Sequence, residues 1–460
     1  MQSRNRYLSI ERINVREPSI EDGRFTISYE VDGDKVQLLA KYDRRVVVKQ
    51  QDLRMMALIP LVNYSLFVGE ISANFNITQQ DLDFLRNMMV VNSREIYVNK
   101  IIRRSEFFRK EYIPKIPSYE EASYSPEIKI GIEENARVHV MKNDSVAILS
   151  SGGKDSLLTY GLMKEVGANV FPIFINESGG HWRTAVTAYN YFVKNERNTI
   201  RIWTTIDRFY RTMNLKVSAL NDRAMKMWSD TYPVQLFIFP VYIFLSLPYL
   251  LNFGISGVLK GDEFDDPGSF VPENGIMHYN GIYDQTQPFD VEITNYFRSI
   301  GYDIHFYSIL RGITGLVEER ILFQRYPHLA RLQRSCHSCH LERGEVIPCG
   351  KCSKCNGILL FLLANSIDPR KINYRERDVR DFKEHYDRRV LRLDENEKQH
   401  SLYLMSGGRS GKPVEHVEKF HEDPDWCDPG LIDERWREKV IGIISQYTKG
   451  RTHLENGRWV

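Results

Sequence analysis

The sequence predicts an α/β protein: a doubly wound parallel sheet that carries a cysteine knuckle, preceded by a β-rich α+β unit. Three observations predict it. Between about residues 138 and 310, short apolar runs alternate with helical stretches, the order that builds parallel sheets through right-handed crossovers. Ahead of them, apolar and polar residues alternate with a period of two. Beyond them, five of the six cysteines crowd between Cys336 and Cys355.

Taken in order, Tyr7 to Val15, Phe25 to Val31 and Val36 to Tyr42 read as an antiparallel meander, with Asp32-Gly33 supplying hairpin-turn chemistry between the last two. A helix is expected from Thr78-Gln79-Gln80-Asp81 through Leu82, Phe84, Leu85, Met88 and Met89. This unit occupies 1–118. Tyr112 to Pro126 holds three prolines among serines and acidic residues, and a linker is placed at 119–137. In the core domain, 138–366, strands are expected at Val146 to Leu149, Val170 to Ile175 and Arg201 to Thr205, and helices at Leu157 to Val166 and Thr184 to Asn195. Ligands of such sheets sit at the carboxyl ends of strands, so the loops at Ser151 and at Asn176 to Gly180 should face one pocket. The charge-rich extension, 367–460, is either a surface helical arm or partly disordered.

The bulk numbers exclude some classes. With 62 basic and 60 acidic residues the net charge is +2, which gives no general electrostatic case for nucleic acid. From Thr231 to Leu259 there is no charge, yet Pro233, Pro240 and Pro248 interrupt the stretch, so helices buried against the sheet are expected and no membrane span. Met1 to Tyr7 shows no apolar leader, so a reducing, cytoplasmic setting is expected, with cysteines as thiols or metal ligands.

Two motifs carry chemistry. Ser151-Gly152-Gly153-Lys154-Asp155-Ser156 follows an apolar strand and opens a helix. Glycine permits positive φ and close approach to an anion, the first helical amides point outward, and Ser151, Ser156 and Lys154 add donors. Ile148 stands where the nucleoside-triphosphatase loop has its first glycine, and GxGxxG is absent. Further on, Cys349, Cys352 and Cys355 repeat at every third residue, a spacing that wraps one tetrahedral Zn²⁺ once Cys336 or Cys339 supplies the fourth ligand. His337 and His340 are weaker candidates, and an iron–sulfur cluster would use the same ligands.

The hexapeptide SGGKDS resembles the PP-loop of the ATP pyrophosphatase superfamily, whose members transfer AMP to an oxygen and release pyrophosphate. With the CxxCxxC knuckle downstream, roughly Val146 to Leu363 resembles the 7-cyano-7-deazaguanine synthase (QueC-like) branch. There ATP and ammonia convert a 7-carboxy-7-deazaguanine carboxylate to an amide and then a nitrile, and the zinc is structural. Tyr232 to Gln235 lacks that family's arginine, and Ser308 to Gly315 lacks a proline. The terminal units have no counterpart in the compact synthase, so a relative with a changed acceptor is expected.

The resemblance implies an ATP-dependent C–N ligase. Ser151, Gly152, Gly153, Lys154, Asp155 and Ser156 would bind ATP, with Asp155, Lys154 and Ser156 acting in the reaction and Asp155 nearest to Mg²⁺. Asp262, Glu263 and Asp266 form a second acidic group for metal or substrate. Glu177, His181, Arg183 and Asp262 are the acceptor-pocket candidates, with Trp182 a stacking face. The metal candidates are Cys336, Cys339, Cys349, Cys352 and Cys355. Expected partners are a small carboxylate, ammonia or an amine, a protein recruited by the terminal units, and a second copy in a homodimer. Two alternatives stay open: an RNA-thiolating enzyme, or a nucleotide-binding protein that modifies a partner. A deazaguanine delivered to a protein, as in defence-associated relatives, would join the first reading to the last.

Overall fold

The structure, a computed structural model, describes residues 5–103, 105–137, 144–221, 237–264, 275–279, 282–336 and 338–460. Asp266, His337 and the segment Tyr232 to Gln235 lie outside the described residues.

Period-two alternation at the start of the chain becomes β1 (Ile10–Val15), β2 (Ser19–Glu21), β3 (Arg24–Val31) and β4 (Asp34–Tyr42). β1 pairs with β3 and β3 with β4, both antiparallel, as the meander requires. Asp32 and Gly33 close the β3–β4 hairpin with φ of 50° and 89°, the two positive values of a primed turn. After α1 (Gln50–Leu58) come β5 (Val68–Ile77) and α2 (Gln79–Ile96). Thr78 and Asp81 form a reciprocal capping box at the start of α2. A single turn, α3 (Tyr119–Ala122), leads to β6 (Glu127–Ile132), which lies parallel to β5 as β5 does to β1. Residues 127–132, inside the stretch read as a linker, are thus an edge strand; their short alternation of isoleucines follows the prolines that dominate the local signal.

The parallel half follows: β7 (Ser145–Leu149), α4 (Lys154–Glu165), β8 (Asn169–Asn176), α5 (Gly179–Asn195), β9 (Ile200–Thr204), α6 (Ile206–Asn214), α7 (Phe239–Phe253), β10 (Gly257–Leu259), α8 (Gln287–Ser299) and β11 (His305–Tyr307). The strands run parallel in the order β11-β10-β7-β8-β9. All of β7 is buried, as a strand covered on both faces must be. Leu157, Leu158, Ala188 and Phe192 of α4 and α5 form the core on one face, and Phe209, Phe244 and Phe297 of α6, α7 and α8 fill the other. The apolar, proline-bearing stretch is α7; among the described residues no helix is long and apolar enough to cross a membrane.

The two halves share one sheet. β9 pairs antiparallel with β4 (Ala40 opposite Thr204, Tyr42 opposite Ile202), giving eleven strands in a large, mostly parallel α/β sheet. Ile27 and Leu38 of the first half and Ile202 and Phe209 of the second belong to the same core.

The remainder comprises α9 (Gly315–Arg325), α10 (Pro327–Ala330), the hairpin β12 (His340–Glu342) and β13 (Glu345–Ile347), α11 (Ser353–Ala364), α12 (Glu376–His385), α13 (Glu395–Ser406), β14 (Phe420–Glu422), α14 (Glu434–Ile444), β15 (Arg451–Glu455) and β16 (Arg458–Trp459). The charge-rich extension is folded and not an arm. It buries Phe420, Val440 and Ile444 in the core beside α4 and α9 and forms its own small sheet, β14-β15-β16. Its charges mask apolar residues that recur at helical spacing.

The guanidinium of the fully buried Arg137 lies 2.8 Å from Asp52 in α1 and 2.9 Å from Asp81 in α2, and these two carboxylates accept from Tyr302 and Tyr296 of the second half (2.7 Å each), so the group joins the halves. Removing one partner of a buried ion group strands the others, at about 3–5 kcal/mol. Arg137→Met should therefore lower the melting temperature by several degrees in a thermal scan; an unchanged melt would show that the group does not hold this junction.

Candidate functional site

The glycine loop lies where β7 gives way to α4. Gly152 has φ of 76°, and a Cβ there would stand 3.1 Å from Ala188 Cβ, so both conformation and the approach of α5 require glycine. Gly153 precedes α4 with no side chain capping the helix, which leaves the first-turn amides to a ligand. Ser151 Oγ accepts from the Gly153 amide (3.3 Å), and Ser156 Oγ donates to the Gly153 carbonyl (3.2 Å).

Lys154 does not extend into solvent. Its buried ammonium contacts Asp155 and lies 2.6 Å from Glu263, in the loop after β10, and 2.8 Å from Glu318 of α9. Burial alone would lower the lysine pKa, but the three carboxylates outweigh it and hold it well above its ordinary value. Burial drives Glu318 the other way for a carboxyl, well above the usual range. One oxygen from each of Asp155, Glu263 and Glu318 falls within 4.8 Å of the others, and Glu318 Oε1 is buried without a hydrogen-bond partner. Three carboxylates against one ammonium leave an excess of negative charge that a proton or a hard divalent cation removes, so the donor set fits Mg²⁺. Behind them, burial pushes Glu319 and Glu397 up to about 8.

Two cavities adjoin the loop. The larger, about 530 Å³, is lined by Ser151, Lys154, Asp155 and Glu263 and also by Arg334, Ser335, Ser353, Lys354 and Arg392. The smaller, about 160 Å³, joins Ser151 and Ser156 to His181 across an apolar floor of Ile173, Phe239 and Tyr242. The loop after β7 and the start of α5 therefore face a common pocket, whereas none of Asn176 to Gly180 lines either cavity.

Other predicted site residues lie elsewhere. Glu177 accepts a hydrogen bond from Tyr242 Oη, lies 3.6 Å from His181 Nδ1, and is pushed by burial up to about 7. Arg183 donates to the Cys339 carbonyl (2.9 Å), tying α5 to the cysteine loop, and Trp182 packs on Tyr189. Asp262 is buried between Lys260 (2.9 Å) and Arg311 (3.1 Å), with Asp290 facing the same two cations. It braces the loop after β10 and does not line either cavity.

Four cysteines converge, and the hairpin decides which. Cys336, Cys349, Cys352 and Cys355 place their sulfurs within 4.8 Å of one another, with Cys336–Cys352 at 3.7 Å and Cys349–Cys355 at 3.8 Å. A tetrahedron with metal–sulfur arms of about 2.3 Å has edges of about 3.8 Å, so the geometry fits a single zinc ion. Several irons and sulfides would spread the thiolates further apart. Backbone amides of Cys349, Cys352 and Cys355 point at the sulfurs from 3.3–3.4 Å, as thiolate ligands require. Cys339 stands outside this group, and His340 lies against Arg375.

Glu318 and Arg334 escaped the sequence reading. The first had a signal: it shares an apolar helix face with Leu322, where a carboxylate needs a partner. The second had none beyond its place before Ser335. No protein-family model matches the chain, and no curated protein matches it.

Two outcomes follow. Metal analysis should find one zinc per chain, and Cys352→Ser should lose it together with folding, because a structural metal contributes folding free energy directly; a stable, zinc-free variant would refute the structural role. Glu319 and Glu397 have folded pKa values raised from 4.5 to about 8, so their contribution is full below pH 4.5 and lost as pH rises through about 8. Melting temperature should fall from pH 5 to 9, and the isosteric Glu319→Gln should flatten that fall; parallel curves for the two proteins would contradict it.

Proposed function

We propose that this protein is an ATP-dependent C–N ligase that adenylates the carboxylate of a small 7-carboxy-7-deazaguanine-like acceptor, releases pyrophosphate, and then exchanges AMP for ammonia or another amine. One observation carries the reading: the glycine loop and the first turn of the cysteine-anchored α11 line the same cavity. The two motifs that resemble the PP-loop synthases thus act on one space.

An acceptor oxygen bonds to the α-phosphorus while the bond to the β-phosphate oxygen breaks, and pyrophosphate leaves towards the α4 amides and the hydroxyls of Ser151 and Ser156. The amine nitrogen then bonds to the acyl carbon, and AMP departs with the acyl oxygen. Lys154 holds Asp155 and Glu263 in place beside these phosphates. Mg²⁺, when held by Asp155, Glu263 and Glu318, supplies neutralisation of phosphate charge. The apolar floor of the smaller cavity suits a flat base.

A sulfur-transferring role is less well served. Four cysteines share one centre, and the other two, Cys339 and Cys427, are buried, so no thiol outside that centre is exposed to carry sulfur.

The test is pyrophosphate and AMP release by zinc-loaded protein with Mg²⁺-ATP and, in separate reactions, 7-carboxy-7-deazaguanine, RNA and candidate proteins. Release with the small carboxylate is expected, falling about a hundredfold or more in Asp155→Asn. If no acceptor elicits AMP, or Asp155→Asn matches the parent, the ligase reading fails.

A further inference from the structure

The larger cavity is lined by the cationic side chains of Arg334, Lys354 and Arg392 as well as by the acidic group, and the chemistry above gives these cations no task. Arg334 is chief among them. Although only 4 % exposed, this side chain lines the larger cavity. Its Nε donates to the Val346 carbonyl (2.9 Å), and its Nη1 to the carbonyls of Arg331 (3.1 Å) and Gln333 (2.7 Å). Those bonds fix the guanidinium plane without neutralising it. Among the described residues no carboxylate forms an ion pair with Arg334; Glu345 attracts it only at longer range.

Its neighbours are hydroxyls and cations. Ser335 Oγ lies 3.7 Å from where a Cβ on Gly153 would stand, and the Arg334 amide donates to the Gly152 carbonyl (3.0 Å), so this group abuts the glycine loop. Ser353 and Lys354, which open α11, line the same cavity, as does the exposed Arg392.

A desolvated guanidinium held in place by carbonyls and without a paired carboxylate is costly. Where it faces a cavity, an anionic ligand offsets that cost by a charge-assisted hydrogen bond. The glycine loop already offers amides and hydroxyls to phosphate, and Asp155 and Glu263 line the same cavity. Cation-binding and anion-binding groups therefore share one space.

We propose that Arg334, flanked by Ser335, Ser353 and Lys354, is an anion subsite that receives the acceptor's carboxylate, beside and distinct from the loop that receives the nucleotide's phosphates. This rests on the ligase reading. Gripped through one oxygen, the carboxylate keeps its second oxygen for the α-phosphorus, so Arg334 both selects an anionic acceptor and aims it.

The same chemistry would suit a phosphate of the nucleotide, and the experiment separates the two. Zinc-loaded full-length protein is saturated with Mg²⁺ and non-hydrolysable α,β-methylene-ATP, then titrated calorimetrically with inorganic phosphate and with 7-carboxy-7-deazaguanine. Both anions should bind the nucleotide-filled protein. Arg334→Gln should weaken them about tenfold or more while leaving affinity for the analogue within about twofold. Equal weakening of the analogue would assign the guanidinium to the nucleotide and overturn the proposal, as would anion affinities that Arg334→Gln leaves unchanged. Because Arg334 is buried, Ser335→Ala with Arg392→Gln provides a second variant, expected to weaken both anions about threefold at unchanged zinc content and melting temperature; no weakening there also counts against the subsite. Phosphate bound as expected by a protein that never releases pyrophosphate would leave the subsite standing and end the ligase reading. Pyrophosphate release with a small carboxylate, insensitive to Arg334→Gln, would do the reverse.

Discussion

A single buried ammonium holds the candidate site together. Lys154 is the meeting point of three segments far apart in sequence: the glycine loop through Asp155, the loop after β10 through Glu263, and α9 through Glu318. Without its charge, three carboxylates within 4.8 Å would repel one another. One residue from Glu263, Asp262 enters a second ionic group with Lys260, Arg311 and Asp290. Gly261 lies between the groups so tightly that a Cβ there would fall 2.7 Å from that of Asp155. The loop after β10 is clamped from both sides, and the acidic wall of the cavity follows from that clamp.

The basic lining of the cavity depends on the four-cysteine centre. Cys352 belongs to the sulfur group and also caps α11, its sulfur accepting from the Cys355 amide. The same residue that closes the tetrahedron therefore sets where Ser353 and Lys354 project. Arg334 precedes Cys336 by two positions and bonds the Val346 carbonyl in β13, so the hairpin that returns Cys336 to the other three cysteines also places the guanidinium. Cysteine centre and basic lining are one piece of architecture, joined to α5 through Arg183 and the Cys339 carbonyl.

Local chemistry was legible in the sequence, and distant pairing was not. Asp32-Gly33 names its turn, Thr78 and Asp81 name the start of α2, and a glycine pair between an apolar run and a helix names the loop, because each acts over a few residues. The spacing of Cys349, Cys352 and Cys355 identifies three ligands for the same reason. The fourth is ambiguous, since Cys336 and Cys339 differ only in how β12 and β13 fold back. Nothing local tells β4 that its neighbour is β9, or Glu318 that its partner is Lys154. Charge density in the last ninety or so residues suggested a solvated arm because composition averages over faces, whereas packing depends on which face holds Phe420, Val440 and Ile444.

The seam between β4 and β9 bears on how the chain is made. Synthesis delivers the N-terminal strands first, and β4 then presents an open row of amides and carbonyls until Ile200–Thr204 has left the ribosome. The meander forms early from neighbouring contacts, but its edge and part of its core wait for α6 and α7. A nascent chain of this protein therefore spends the translation of much of the parallel half with a hydrophobic, strand-accepting face uncovered. In the cell that interval is a demand for chaperone protection, written into the order of the strands.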